Sequence, residues 1–375
     1  MTQNAEQNKV RLGFVMEQTL GHVTYGENLA RSVEDLADVC PIWMRIEPHI
    51  PDRWERIPGV RSNWSLKGSL RARDALIQAT RTRPLDALFM HTQSIALFAL
   101  PFMRRIPTLL SLDATPRNFD RVGAAYGHSA ATGNWLEQRK FDWHCRVFTA
   151  AAELVAWSEW AKNSLVQEYG VPAEKIIVVP PGIDLQLWNG RRASDSAGGP
   201  LRLLFVGGDF QRKGGPLLLE AFRNGLAQRC TLDIVTTDRK VELELWGEER
   251  IRVHCDLTAN DAKLRQLYAQ SDIFVLPTLG DCMPMAILEA LASGLPVVTT
   301  EVGALSEVVH EGRNGLLVPP GDSKALWKAL YTLIGDDGRR QGFAQAARQI
   351  AVERFDAQRN YGTILARMKA LANSR

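Results

Sequence analysis

Short runs of β-branched and other apolar residues alternate with amphipathic stretches along this chain, and the whole alternation occurs twice. A sequence that keeps passing from strand to helix can close its connections by laying strands parallel and covering them with crossover helices, so the fold class is α/β. In the first half the strand candidates are Val10–Met16, Ala87–Met90, Thr108–Leu112 and Ile176–Val179. Leu29, Val33 and Leu36 recur at helical spacing between the first two, and Ser158–Tyr169 reads as a helix stopped by Gly170. The second half offers Leu201–Val206, Leu232–Val235, Ile251–His254, Ile273–Leu276, Val297–Thr299 and Leu316–Val318. Between the halves, residues 190–200 are small, polar and glycine-rich, which predicts an interdomain linker. A length of 375 residues exceeds one ordinary core and fits two domains of roughly 150–200 residues each, here 1–189 and 201–354.

Composition narrows the function classes. Apolar residues at 45% and charged residues at 23% are ordinary for a globular chain and exclude a disordered or fibrous one. No apolar run approaches the ~20 residues needed to cross a bilayer, and Met1–Lys9 lacks the apolar core of a signal peptide, so the expectation is cytoplasmic. Five scattered cysteines without a Cys-x-x-Cys spacing point to neither zinc nor a redox pair. A net charge of +3, with no nucleic-acid-binding motif, argues against nucleic acid as a partner.

The chemistry concentrates in Gly280-Asp281-Cys282-Met283-Pro284-Met285 and the stretch after it. Pro284 fits the first turn of a helix and Gly294 the position just past its end, which brackets a helix over Met285–Ser293. That places Asp281 in a loop and Glu289 two turns into the helix, with the helix N-terminus facing the same space as the loop. Amides of Cys282, Met283 and Met285 are then available to a polar ligand, whereas Pro284 has no N–H. Cys282 has no base beside it in sequence and reads as a small loop residue. Upstream, Gly207-Gly208-Asp209-Phe210-Gln211-Arg212-Lys213 forms a glycine-containing strand-to-helix turn that carries two cations, suited to a diphosphate. By itself this turn is equally compatible with a solvated helix start. No Gly-x-Gly-x-x-Gly follows a predicted strand, which disfavours a dinucleotide oxidoreductase.

Taken together these segments resemble the nucleotide-sugar half of family 4 glycosyltransferases, the retaining enzymes of the GT-B fold. Val253-His254-Cys255-Asp256, Asp272–Thr278, Gly303–Val309 and Asn314–Asp322 extend the resemblance over most of the second domain, and Trp157–Lys162 and Pro180–Asp184 carry it before the linker. The resemblance implies two Rossmann-like domains facing a cleft, with a last helix over 355–375 crossing back to the first domain. It implies transfer of a hexose from a nucleotide diphosphate sugar to a hydroxyl acceptor, without cofactor or metal. Asp281 would face the donor sugar, Glu289 the ribose, and Arg212 and Lys213 the diphosphate. Gly21, Gly207, Gly208, His254, Cys282, Met283, Pro284 and Met285 would complete the donor site. His254 is also readable as a packed strand-end histidine.

Two departures stand out. Asp113 ends a strand where many relatives carry a histidine near the reacting sugar, and Gly208 replaces an arginine that many relatives place after Val-Gly. An aspartate cannot be the same neutral donor, but its charge can stabilise an oxocarbenium-like transition state, or it can simply cap the next turn. The departures keep two alternatives open: a catalytically weakened sugar-nucleotide-binding protein, or a GT-B phosphorylase or epimerase. Finally, Arg53, Arg56, Arg61, Lys67, Arg71 and Arg73 interleave with Trp54 and Trp64. This pattern suits peripheral contact with an anionic membrane, yet Glu47, Asp52, Glu55 and Asp74 dilute it and favour a solvated basic face.

Overall fold

A computed structural model describes residues 9–374 apart from 20, 35, 128–134 and 190–198. The chain forms two compact units. The first runs up to Asn118, resumes after 131 through Gly182, and takes back the C-terminal stretch from Ala357. The second comprises Ile183–Asp356 and the stretch that begins at Phe119. The expected linker lies almost wholly outside the described residues, which include only Gly199 and Pro200 of it.

The first unit contains β1 (Val10–Glu17), α1 (His22–Glu34), β2 (Val39–Ile46), α2 (Trp64–Ala79), β3 (Ala87–His91), α3 (Leu100–Met103) and β4 (Thr108–Leu112). After α4 (Pro116–Val122), which straddles the division, come α5 (Trp135–Ala150), β5 (Glu153–Ala156), α6 (Glu159–Gln167) and β6 (Ile176–Val178). All six strands are parallel in the order β2-β1-β3-β4-β5-β6. Strands covered on both faces need apolar residues throughout, and β3 and β4 are buried at every position. β2 carries Pro41 and an exposed Arg45, and these are tolerated because it is an edge strand. The helix expected through Leu36 ends at Glu34.

The second unit contains β7 (Leu201–Val206), α7 (Gly215–Arg223), β8 (Cys230–Val235), α8 (Arg239–Glu244), β9 (Ile251–His254), α9 (Ala262–Gln270) and β10 (Ile273–Leu276). It continues with α10 (Met285–Ala292), β11 (Val297–Thr300), β12 (Gly315–Val318), α11 (Ser323–Gly335) and α12 (Asp337–Arg354). The parallel order is β12-β11-β10-β7-β8-β9. Asp261, Asp322 and Asp336 cap α9, α11 and α12, each accepting a first-turn amide. The core centres on Leu203, Phe205, Ile234, Phe274, Val275 and Val298, all inaccessible to solvent. Truncating Phe274 to alanine would leave a cavity costing about 3–5 kcal/mol.

Helix α13 (Ala357–Asn373) packs on the first sheet. Gly182 makes this possible, since a Cβ there would lie 2.5 Å from the Cα of Ala357. Asn360 donates to the carbonyl of Pro180 and Tyr361 to that of Gly182, while Arg367 grips Glu153 through two bonds of 2.7 and 2.8 Å.

Each sheet reverses its strand order once: between β1 and β3 in the first, between β7 and β10 in the second. Ligands of doubly wound sheets bind outside the carboxyl ends of the strands at such a reversal.

Candidate functional site

In the second unit the carboxyl end of β7 leads into a turn that the sequence itself folds. The Asp209 carboxylate accepts the amide of Arg212 at 3.1 Å, and its carbonyl accepts that of Lys213 at 3.0 Å, which turns both cations back over the strand ends. Gly214 has φ +80°, and a Cβ there would sit 1.9 Å from the carbonyl oxygen of Pro277, so only glycine brings this turn onto the loop after β10. Gly207 is constrained less strongly, since a Cβ would meet the Lys213 side chain at 2.8 Å. Gly208 is exposed, and its carbonyl is held by the hydroxyls of Thr236 and Thr237.

The loop from β10 to α10 is fixed from beneath by β11, whose Thr299 and Thr300 hydroxyls donate to the carbonyls of Leu276 and Thr278. This brings Asp281 to the two cations. Lys213 Nζ lies 2.8 Å and Arg212 Nη1 3.2 Å from Asp281 Oδ1, while Thr278 donates to Oδ2 at 2.6 Å. Arg212 also donates to the Gly280 carbonyl at 2.7 Å and, through Nε, to Asp209 at 3.2 Å. Burial opposes the Arg212 charge, but Asp281, then Tyr126 and Asp209, more than offset it and raise its pKa. Three ionised groups thus hold one another in place at the strand reversal with little exposure.

Tyr126 is one of the residues that sequence reasoning missed. Its ring lies 4.2 Å beneath the Arg212 guanidinium, and its hydroxyl is 3.1 Å from Nη1. It belongs to the stretch beginning at Phe119, which approaches Gly280 so closely that a Cβ there would meet the Val122 carbonyl at 2.6 Å. Nothing in the local pattern of Gly123–Gly127 marks it as a site. Thr278 was quoted within the strand motif but not singled out, and only the threonine hydroxyl three residues before Asp281 could have signalled it.

Helix α10 begins as expected at Met285, with one correction: Pro284 is the N-cap, in extended conformation at ψ 129°, rather than a first-turn residue. Ser293 is the C-cap and Gly294 follows with φ +69°. Cys282, Met283 and Met285 are buried around the helix start, and the Cys282 carbonyl accepts the amide of Ala304. Glu289 is not a surface charge. It is 5% exposed, and its carboxyl is 3.0 Å from the Tyr268 hydroxyl. Burial pushes its pKa up to about 7, partly countered by Tyr268. His254 ends β9 with Nε2 2.9 Å from Asp233 on β8, which fixes the ring at the same sheet edge as a packed strand-end histidine.

Gly21 and Asp113 lie in the first unit, at the carboxyl ends of β1 and β4, with Gly21 exposed and Asp113 half-buried. The basic segment meets its own acids. Arg53 pairs with Asp74 at 2.7 Å, Lys67 with Glu55 at 2.7 Å, and buried Arg71 with Asp52 at 2.6 Å and Glu55 at 3.1 Å. Trp54 and Trp64 turn their N–H groups to Asp74 and Glu17. The acids therefore fold the segment on itself, and Arg56, Arg61 and Arg73 remain exposed. No described helix is long and apolar enough to cross a membrane.

Comparison with known proteins bears on both units. Residues 200–336 match the family model described as Glycosyl transferases group 1, and residues 21–187 the one described as Glycosyltransferase Family 4. D-inositol 3-phosphate glycosyltransferase of Arthrobacter sp. (strain FB24) is 28% identical over 239 residues, 59% of this chain and 56% of that protein. The amylovoran biosynthesis glycosyltransferase AmsK of Erwinia amylovora is 29% identical over 225 residues, 57% of this chain and 54% of that one. The chain thus spans about half the length of the curated relatives it matches. Sucrose-phosphate synthase of Thermosynechococcus elongatus superposes with a TM-score of 0.71 at 16% identity, covering 98% of this chain and 100% of that one. HepE of Anabaena, solved with UDP, superposes at 0.67 with 19% identity, covering 96% and 100%. Both are likenesses of fold.

Proposed function

Because this chain belongs to the family 4 glycosyltransferases and has the GT-B fold, we propose that it transfers a hexose from a nucleoside diphosphate sugar to a hydroxyl acceptor with retention of configuration. One observation carries the reading: Arg212, Lys213 and Asp281 converge within 3.2 Å at the strand reversal of the second sheet. Two cations beside the first amides of α10 form a site for a diphosphate, and Asp281 offers a carboxylate to sugar hydroxyls. The cations take over neutralisation of the leaving diphosphate, so the reaction proceeds without metal or cofactor. Asp281 holds both cations before the donor arrives and shares them with the diphosphate afterwards.

Glu289 receives the ribose hydroxyls, with Tyr268 holding its carboxyl in place. A carboxyl with a pKa near 7 is partly protonated at neutral pH, and a ribose hydroxyl that donates to it favours the ionised form. Asp113 contributes negative charge that favours the transition state. HepE, with structures in complex with UDP and with UDP-glucose, supports a uridine nucleotide as the first donor to try.

Thermal stability in the presence of UDP, GDP, ADP and their sugars tests the reading, because a ligand that binds only the native state raises its stability by mass action. At least one diphosphate should stabilise the protein well beyond its nucleoside, and its sugar should release that diphosphate when an acceptor is added. Binding without release would indicate a sugar-nucleotide-binding protein. Consumption of donor only with phosphate, or with no acceptor at all, would indicate the phosphorylase or epimerase. Absence of stabilisation by every nucleotide would defeat the reading.

A further inference from the structure

Arg212 is held from several sides, and one of them is an aromatic ring. Its Nε goes to Asp209 within its own turn, and its Nη1 is shared by Asp281, the Gly280 carbonyl and the Tyr126 hydroxyl. Among the described residues Nη2 has no hydrogen-bond partner. A guanidinium only 5% exposed with one donor edge unmatched calls for an anionic partner at that edge.

Tyr126 reaches this place through local geometry, in the same compact unit as Arg212. It is the last residue of a 3-10 turn over Gly123–Tyr126, which Gly127 closes at φ +70° by donating its amide to the carbonyls of Ala124 and Gly123. The Phe119 ring packs on Tyr126 at 5.0 Å and 49°. The turn also lies on Gly280, where a Cβ would meet the Ala125 Cβ at 2.7 Å, so a larger residue before Asp281 would push it away.

The supports of Arg212 differ in kind. Asp209 is exposed, and Asp281 is the carboxylate that shares the cations with an arriving diphosphate, so both bonds can change when an anion binds. The ring beneath the cation takes up none of its N–H groups, and the attraction of the cation to the π-face persists when Asp281 turns to a ligand. We propose that Tyr126 is a positioning residue for the donor phosphates: its ring holds the Arg212 guanidinium so that Nη2 meets the diphosphate while Nε and Nη1 stay on the protein. The inference rests on the glycosyl-transfer reading and deepens it, giving the stretch Phe119–Tyr126 a part in donor recognition.

Calorimetric titration of the full chain with UDP and with uridine tests it. Tyr126→Leu should weaken UDP about tenfold and leave uridine as in the wild type, because the ring acts only through the phosphate-binding cation. Tyr126→Phe keeps the ring and should stay within about threefold of the wild type, since Nη1 retains Gly280 and Asp281 when the hydroxyl is gone. Tyr126→Met serves as a second non-aromatic variant should the leucine protein fail to fold. In an Arg212→Lys background, whose ammonium has no plane to orient, Tyr126→Leu should weaken UDP no further. Nitrogen spectra of the Arg212 side chain address the edge: UDP should shift Nη2 more than Nε. The proposal is overturned by wild-type UDP affinity in the non-aromatic variants, by an equal loss of uridine, by a phenylalanine variant as weak as the leucine one, by the same loss in the Arg212→Lys background, or by a larger shift at Nε. A wild type that binds no UDP would overturn the glycosyl-transfer reading and this inference together, whereas each of the other outcomes strikes this inference alone.

Discussion

The two sheets place polar centres of opposite character at equivalent topological points. At the second, Arg212, Lys213 and Asp281 form an ionic cluster, whereas at the first, His22 and His91 form an imidazole pair walled by Tyr25 and Trp157. The difference is chemical. A diphosphate is recognised by charge, and cations kept beside a carboxylate remain ionised while partly buried. At the first, burial disfavours charge on His91, whose ring nitrogens offer hydrogen bonds instead. The same α/β scaffold therefore carries an ionic cluster at one strand reversal and an imidazole pair at the other.

The largest expected effect falls on the first sheet, at the carboxyl end of β4. Asp113→Asn should leave UDP affinity unchanged and lower turnover by roughly 2.7–4 kcal/mol in barrier, the size of one preorganised electrostatic group. If Asp113 only caps the turn after β4, turnover per folded molecule will not change, because asparagine caps as well.

Next is the ionic side. Asp281→Asn leaves Arg212 and Lys213 without their shared carboxylate, which should cost about 3 kcal/mol of stability in urea unfolding. Saturating UDP should restore more stability to this variant than it adds to the wild type, since the diphosphate replaces the missing charge. Equal gains in both proteins would show that the cations do not meet phosphate.

Glu289 sharpens the contrast, being an acid buried without a cation. Its folded pKa of about 7 lies above the ordinary glutamate value, so the folded state binds the extra proton. The stabilisation from this group is complete below about pH 4.5 and is lost as pH rises through 7, by up to roughly 3 kcal/mol. Glu289→Gln should flatten unfolding free energy between pH 5 and 8, and it should weaken uridine as well as UDP. A variant that keeps the wild-type pH slope would assign that slope to another group.

The two regions also differ in how far the sequence revealed them. Apolar runs mark β4 and β10 to the residue, because both are buried at every position, and they mark β7 and β9 as well despite Arg202 and Arg252. β2 was passed over for its Pro41 and Arg45, features that only its edge position explains, and β5 for being four residues set directly behind a helix. The cations and acid of the second unit were readable because a turn and a helix start constrain residue types locally. Tyr126, Tyr268 and His91 were not, since each acts through a partner 20 or more positions away, and no local pattern encodes such a meeting.

The central claim is that the ionic cluster of the second unit binds a nucleoside diphosphate through its phosphates. Calorimetric titration of Lys213→Ala with UDP and with uridine tests it most directly. One lost charge-assisted contact, worth about 1.5–3 kcal/mol, should weaken UDP by roughly ten- to a hundredfold and leave uridine binding as in the wild type. Equal weakening of both ligands, or of neither, would contradict the account.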